Sequence, residues 1–260
     1  MKQLLVLAVV GSVAAALGCS GKGEADAGSD GALADAGTDS DAGRDPDAGP
    51  SADAGAPGDG GGSGELTGVV HRLSLSGTSL LAGATVQIVD AIPPRSTLTD
   101  ANGAYALGAS PGTLFVRASA LNAVSTQVGV VVPESFAVPD LALLDSGAED
   151  LIATLLRLTL DPTKGIAAVG FLTSDTAGGY GATLTAAHDA PFAISSTGFP
   201  QRSTTTLSGG RNALFFPNVT AGTSEVTFTA PPGHSCRVAQ PITSYRIDPG
   251  VVTEMGAICE

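Results

Sequence analysis

The chain has 260 residues, 25 acidic against 12 basic, a formal net charge of −13, 35 Gly, 3 Cys and no Trp. That balance argues against nucleic-acid binding, which needs clustered Lys and Arg to displace counterions, and against electrostatic adhesion to anionic headgroups. The length admits one or two domains. The charge is uneven: residues 20–65 carry eleven acids and two bases, residues 66–260 fourteen and nine.

Lys2 precedes an apolar run from Leu4 to Leu17, broken only by Gly11 and Ser12, the layout of a secretory signal peptide. The run is shorter than the ~20 residues a membrane-spanning helix needs. It ends in Ala16-Leu17-Gly18-Cys19. Small residues ahead of an isolated Cys resemble the lipobox of bacterial lipoproteins, although Ala16 stands where Leu is commonest. The resemblance implies that residues 1–18 are removed and that Cys19 receives a diacylglyceryl group and then an N-acyl chain such as palmitate. No Asp follows Cys19, where one would signal inner-membrane retention, because Ser20 stands there. By resemblance the chain is then a lipid-anchored protein of the bacterial outer membrane, facing the periplasm or the cell surface. The alternative is an ordinary signal peptide cleaved between Ala14 and Gly18, with Cys19 incidental.

Residues 19–65 follow as a tether. Asp-Ala-Gly occurs at Asp26, Asp35, Asp41, Asp47 and Asp53, the last four spaced by six residues. Only Leu33 could enter a core. Such a segment buries too little apolar area to offset the entropy of ordering, and disorder is expected. Asp39-Ser40-Asp41-Ala42-Gly43 and Asp45-Pro46-Asp47-Ala48-Gly49 faintly resemble calcium loops. Gly43 and Gly49 stand where a third oxygen ligand is required, so a solvated spacer is the expectation and no metal site is assigned.

From Leu66 onward, β-branched and small residues alternate between Gly and Pro punctuation. Leu66 to Arg72, Ala84 to Val89, Thr113 to Ser119, Val124 to Val132 and Glu225 to Thr229 read as strands. Between two such regions, Ser146-Gly147-Ala148-Glu149 has the form of a capping box. Leu151, Ile152, Leu155, Leu156 and Leu158 follow at helical spacing before Asp161-Pro162, which predicts a helix over about 146–158 packed between two sandwiches. The same helix could instead bind a partner.

An internal repeat underlies this layout. Gly83-Ala84-Thr85-Val86 recurs as Gly181-Ala182-Thr183-Leu184, and Pro111-Gly112-Thr113 as Ala221-Gly222-Thr223. Leu81-Ala82-Gly83-Ala84-Thr85-Val86, Thr99-Asp100-Ala101-Asn102-Gly103-Ala104-Tyr105 and Pro111-Gly112-Thr113 together resemble the carboxypeptidase regulatory-like domain. The resemblance implies a transthyretin-like β-sandwich over 66–143, with Asp100 bonding turn amides and Tyr105 pointing inward. The second copy lacks the Asp-x-x-Gly-x-Tyr turn. The fold class expected is all-β: two tandem transthyretin-like or immunoglobulin-like sandwiches, 66–143 and 161–260, joined by a helix within 144–160.

No recognised chemistry is assembled in the sequence. Cys236 and Cys259 fit a structural disulfide in an exported protein, closing a loop worth about 3 kcal/mol in the chain-entropy view. A metal or reactive thiol at His234-Ser235-Cys236 lacks a second ligand pair. His188-Asp189 invites a triad, but no nucleophile elbow, zinc-protease motif, Walker loop or Cys-x-x-Cys occurs, and Gly179-Tyr180-Gly181 fails the dinucleotide fingerprint at Leu184. The chain is therefore read as a non-enzyme without cofactor, catalytic residue or metal ligand. Its role is structural or adhesive, its partners the membrane through Cys19 and an envelope polysaccharide or protein. The rival is a glycan- or peptide-binding module. Of Tyr105, Tyr180 and Tyr245, Tyr180 in its Gly-rich setting is the candidate contact.

Overall fold

A computed structural model describes residues 64–74, 77–132, 135–138 and 140–260, with backbone alone at 135–137. The expected signal peptide, Cys19 and residues 20–63 of the expected tether lie outside the described residues, whereas its last two residues, Gly64 and Glu65, belong to a strand.

The first repeat supplies β1 (Gly64–Ser74), β2 (Gly77–Leu80), β3 (Thr85–Ile88), β4 (Arg95–Leu98), β5 (Ala104–Ala109), β6 (Gly112–Ser119), β7 (Ser125–Val132), β8 (Ser135–Ala137) and β9 (Leu141–Leu144). Helix α1 (Ser146–Leu156) follows. The second repeat supplies β10 (Gly165–Leu172), β11 (Gly181–Leu184), β12 (Phe192–Ile194), β13 (Pro200–Arg202), β14 (Ala213–Val219), β15 (Gly222–Ser224), β16 (Val226–Thr229), β17 (Cys236–Val238), β18 (Tyr245–Ile247) and β19 (Val251–Cys259). The protein is mostly β, with several sheets and one short helix among the described residues.

The repeat seen in sequence is also a repeat of strand pairing. β1 pairs β5 antiparallel and β9 parallel, while β3 pairs β6 antiparallel. Correspondingly, β10 pairs β14 antiparallel and β19 parallel, while β11 pairs β16 antiparallel. The matched glycines Gly112 and Gly222 have φ of 132° and 129°, a region only Gly enters without steric cost.

The two repeats do not stand apart. Val251–Glu254 of β19 lie parallel to Ser125–Val128 of β7. This joins the strands in the order β13-β12-β14-β10-β19-β7-β6-β3-β4, with β17 on β19, as one ten-stranded sheet. The residues described form a single compact unit. β7 is buried along nearly its whole length, because its Val-rich run is covered on both faces.

Two cores flank this sheet. Leu66, Val70, Val86, Tyr105, Val116, Val130 and Leu143 fill the first, between the β2-β1-β5 sheet and β3, β6 and β7. Val169, Phe171, Tyr180, Leu214, Phe216 and Met255 fill the second, beneath the β11-β16 and β15-β18 pairs. The opposite side chains of the same strands, Ala168, Phe192, Phe215 and Val252, form a third apolar cluster, on which Ile152, Leu156 and Leu158 pack. The connecting helix thus lies over the large sheet where the two repeats meet, Ile152 packing also on Leu73 and Ala142 of the first repeat.

Its boundaries also differ from expectation. Asp145, not Ser146, is the N-cap, its Oδ1 accepting the Gly147 N–H at 3.0 Å. Arg157 closes the helix in the left-handed region at φ 52°, before Asp161-Pro162. The expected Glu225–Thr229 strand begins at Val226, and Glu225 separates it from β15, which lies in a different sheet.

The Asp100 turn forms as expected. Asp100 Oδ1 accepts the Asn102 and Ala104 N–H groups at 2.8 and 2.9 Å, and Gly103 takes φ 71°. Tyr105 turns into the first core, where its hydroxyl has no hydrogen-bond partner among the described residues.

Candidate functional site

Cys236 and Cys259 are bonded to each other. They are directly opposite on the antiparallel β17 and β19, with Cα atoms 4.2 Å apart. Ser235 and Glu260 exchange both backbone bonds next to them, which makes the cysteines a non-hydrogen-bonded pair, where side chains come closest.

Tyr180 is placed differently from the sequence expectation. Its side chain is 0% exposed, in the second core. The hydroxyl donates to Asp175 Oδ2 at 3.2 Å and lies 3.3 Å from His234 Nδ1. Phe171 and His234 flank its ring at centroid distances of 5.8 and 5.9 Å. No ring face is offered to a stacked sugar. The cluster ties the 173–175 loop to the turn before the disulfide.

His188 and Asp189 do not form a relay. His188 Nδ1 lies 2.7 Å from the Asp189 carbonyl oxygen, and its ring meets Phe216 edge-on at 4.9 Å. The Asp189 carboxylate accepts instead from Asn218 Nδ2 at 2.7 Å. Among the described residues, no group of three or more His, Cys, Asp or Glu is arranged to hold a metal ion.

A buried polar seam joins the two repeats. Gln127 of β7 is 0% exposed and fully used. Its Oε1 accepts twice from Arg117, at 2.7 and 3.2 Å, and its Nε2 donates to the Arg246 carbonyl at 2.9 Å and Thr253 Oγ1 at 3.0 Å. Asp248 pairs with Arg117 and Arg246, and Arg246 with Asp90. Burial opposes ionisation of Asp248, but the Arg246 hydrogen bond and both guanidinium charges outweigh it and lower its pKa.

Sequence reasoning missed a partly open apolar cavity of about 60 Å³ beneath α1. It lies where cover over the large sheet passes from β9 to the helix. β9 is the partition: Leu141 and Leu143 enter the first core, while Ala142 and Leu144 line the cavity. Its floor is Thr126, Ile166, Phe215 and Val252, and α1 contributes Ile152 and Ala153.

Two acidic residues, Glu149 of α1 and Glu254 of β19, border this cavity, whose surface is nonetheless almost wholly apolar. Neither side chain has a hydrogen bond or ion pair among the described residues. Glu254 retains some surface, but as a lining residue it borders the cavity, and the protein enclosing it pushes its pKa up to about 8. Burial, then the neighbouring Asp150 charge, raises that of Glu149. The available signal was a single acid inside the apolar run Val251 to Cys259. Glu149 was legible only as a capping-box residue.

A second, more polar depression of about 400 Å³ adjoins the cavity and shares Glu149, Leu160 and Ile166 with it. It carries Asp150, Asp161 and Lys164 besides Glu149. Hydrogen bonds from the Thr163 hydroxyl and amide keep the exposed Asp161 ionised by lowering its pKa.

No family model matches the chain, and no curated protein matches it. Solved structures give remote similarities. A type II cohesin–X-dockerin complex from Acetivibrio cellulolyticus aligns at 17% identity and TM-score 0.28, over 44% of this chain and 77% of that one. The Bacillus anthracis TIE protein aligns at 14% and 0.26, over 76% and 34%. The shaft pilin SpaA of Lactobacillus rhamnosus GG aligns at 10% and 0.22, over 76% and 98%. At these scores they identify neither family nor function.

Proposed function

We propose that this chain is an exported bacterial lipoprotein, attached to the outer membrane through acylated Cys19 and presenting a non-catalytic structural or adhesive β module. In this reading the acidic Asp-Ala-Gly segment is a solvated spacer. The two repeats are transthyretin-like sandwiches that have merged one sheet.

The observation that carries the reading is the Cys236–Cys259 disulfide. Such bonds persist in oxidising compartments and are rare in the cytosol. It fits the signal-peptide layout of residues 1–18 and the small residues before Cys19. An adhesive role draws support from a surface resting on one continuous sheet through both repeats, which resists relative motion of the two ends.

The test is expression of the full chain and its Cys19→Ala variant in a bacterium that processes lipoproteins. The unaltered chain is expected in the detergent phase and labelled by palmitate, the variant in the aqueous phase. Identical partitioning would show that Cys19 is not the anchor.

A further inference from the structure

We propose that the outward face of α1 is a self-association surface, on which a second copy of this chain lays its own α1 in antiparallel orientation across a two-fold axis. This goes beyond the lipoprotein reading and does not depend on it. Three observations carry it. The large sheet accepts one stripe of the helix, and Leu151 and Leu155, one turn apart, are left 39% and 48% exposed. Gly147 and Thr154, small and exposed, share that face, so a neighbouring helix can approach the leucines closely. Two charges bracket the pair: Asp150 stands directly before Leu151, and Arg157 two positions after Leu155. Both are exposed, and neither side chain makes a hydrogen bond or ion pair among the described residues. Asp150 instead opposes the ionisation of its neighbour Glu149, and Lys164, which lines the same depression, forms no ion pair with it.

The order of these residues selects the occupant. In an antiparallel pair centred on Ala153, Leu151 meets the partner's Leu155, and Asp150 comes level with the partner's Arg157. The two-fold axis repeats each contact, so one patch supplies two apolar contacts and two opposite-charge pairs, the self-complementarity of an isologous dimer. Parallel pairing would set acid on acid and base on base. A uniformly basic or acidic partner helix would satisfy one of the two charges and repel the other. A patch of this size belongs with weak, transient interfaces, and the dimer is therefore reversible.

Cysteine cross-linking of the full chain under a mild oxidant tests this, in whichever fraction the protein is found. Thr154→Cys places a thiol beside the axis and is expected to give a disulfide-linked dimer. Gly147→Cys is expected to give little, because its two copies stand about 18 Å apart along the axis at 1.5 Å per residue, beyond disulfide reach. In the Thr154→Cys background, Asp150→Arg or Arg157→Asp alone is expected to slow cross-linking about tenfold, through two repulsive pairs, and the two together to restore it. Leu155→Asp is expected to abolish it. No dimer from Thr154→Cys, equal dimer from Gly147→Cys, cross-links only to a different protein, or a double charge reversal no faster than the single ones would each overturn the proposal. The charge series alters only exposed side chains, which keeps the question decidable should Leu155→Asp fail to fold.

Discussion

At the scale of single residues, Glu254 makes the sharpest statement. Its carboxyl keeps the proton to about pH 8 when folded, against an ordinary value of 4.5. Between those values the unfolded chain is ionised at this position and the folded chain is not. Stability therefore falls as pH rises from about 4.5 to about 8 and levels above it. The loss is bounded by a few kcal/mol, at about 1.4 kcal/mol per unit. Thermal melts of Glu254→Gln should lose most of this slope and exceed the unaltered chain in stability at pH 8.5. A slope that survives the substitution would place its origin elsewhere. Glu149 acts in the same sense, whereas Asp248, with its lowered pKa, contributes stability that is lost only as pH falls below the ordinary carboxylate range. The sequence offered only the position of one acid inside an apolar run. A lone Glu in an apolar strand reads as a solvent-facing residue until both faces of that strand are known to be covered.

At the scale of elements, α1 shows both the reach and the limit of periodicity. Its apolar residues were visible at helical spacing, and the helix is there. The stripe that packs is Ala148, Ile152 and Leu156, while Leu151 and Leu155 are 39% and 48% exposed. A flat sheet face accepts one stripe of a short helix, and the neighbouring stripe turns outward. The cap was ambiguous because Asp145 and Ser146 are adjacent and both suitable. Tertiary structure decides: the Asp145 N–H is held by the Leu73 carbonyl at 2.8 Å, with the residue extended at φ −61°, ψ 137°. Asp145→Ala should destabilise the protein by about 1 kcal/mol, and Ser146→Ala by much less. The reverse order in denaturant melts would refute this cap. The Asp100 turn, by contrast, was fully legible, since its hydrogen bonds are local.

At the scale of the whole molecule, the sequence carried the repeat but not its consequence. Two copies of one pairing pattern are present, yet β7 and β19 join a sheet of the first to the non-equivalent sheet of the second. Contacts such as Gln127 to Thr253, 126 positions apart, leave no local trace. The one hint was the apolar run Val128 to Val132, which lacks the alternation of a half-buried strand. A shared sheet with a satisfied polar seam should unfold as one cooperative step. Gln127→Leu, which strips the seam of its central donor and acceptors, should lower the unfolding free energy by about 1–3 kcal/mol. Two separated calorimetric transitions in the unaltered chain would show that the repeats fold independently.

The proposal of an exported, acylated protein rests on the disulfide and on the sequence around Cys19. Mass spectrometry of the mature N-terminal peptide from membrane fractions tests this most directly. The account predicts a peptide that begins at Cys19 and bears a thioether-linked diacylglyceryl group with an amide-linked acyl chain. A free thiol at Cys19, or a mature chain beginning at another residue, would contradict it.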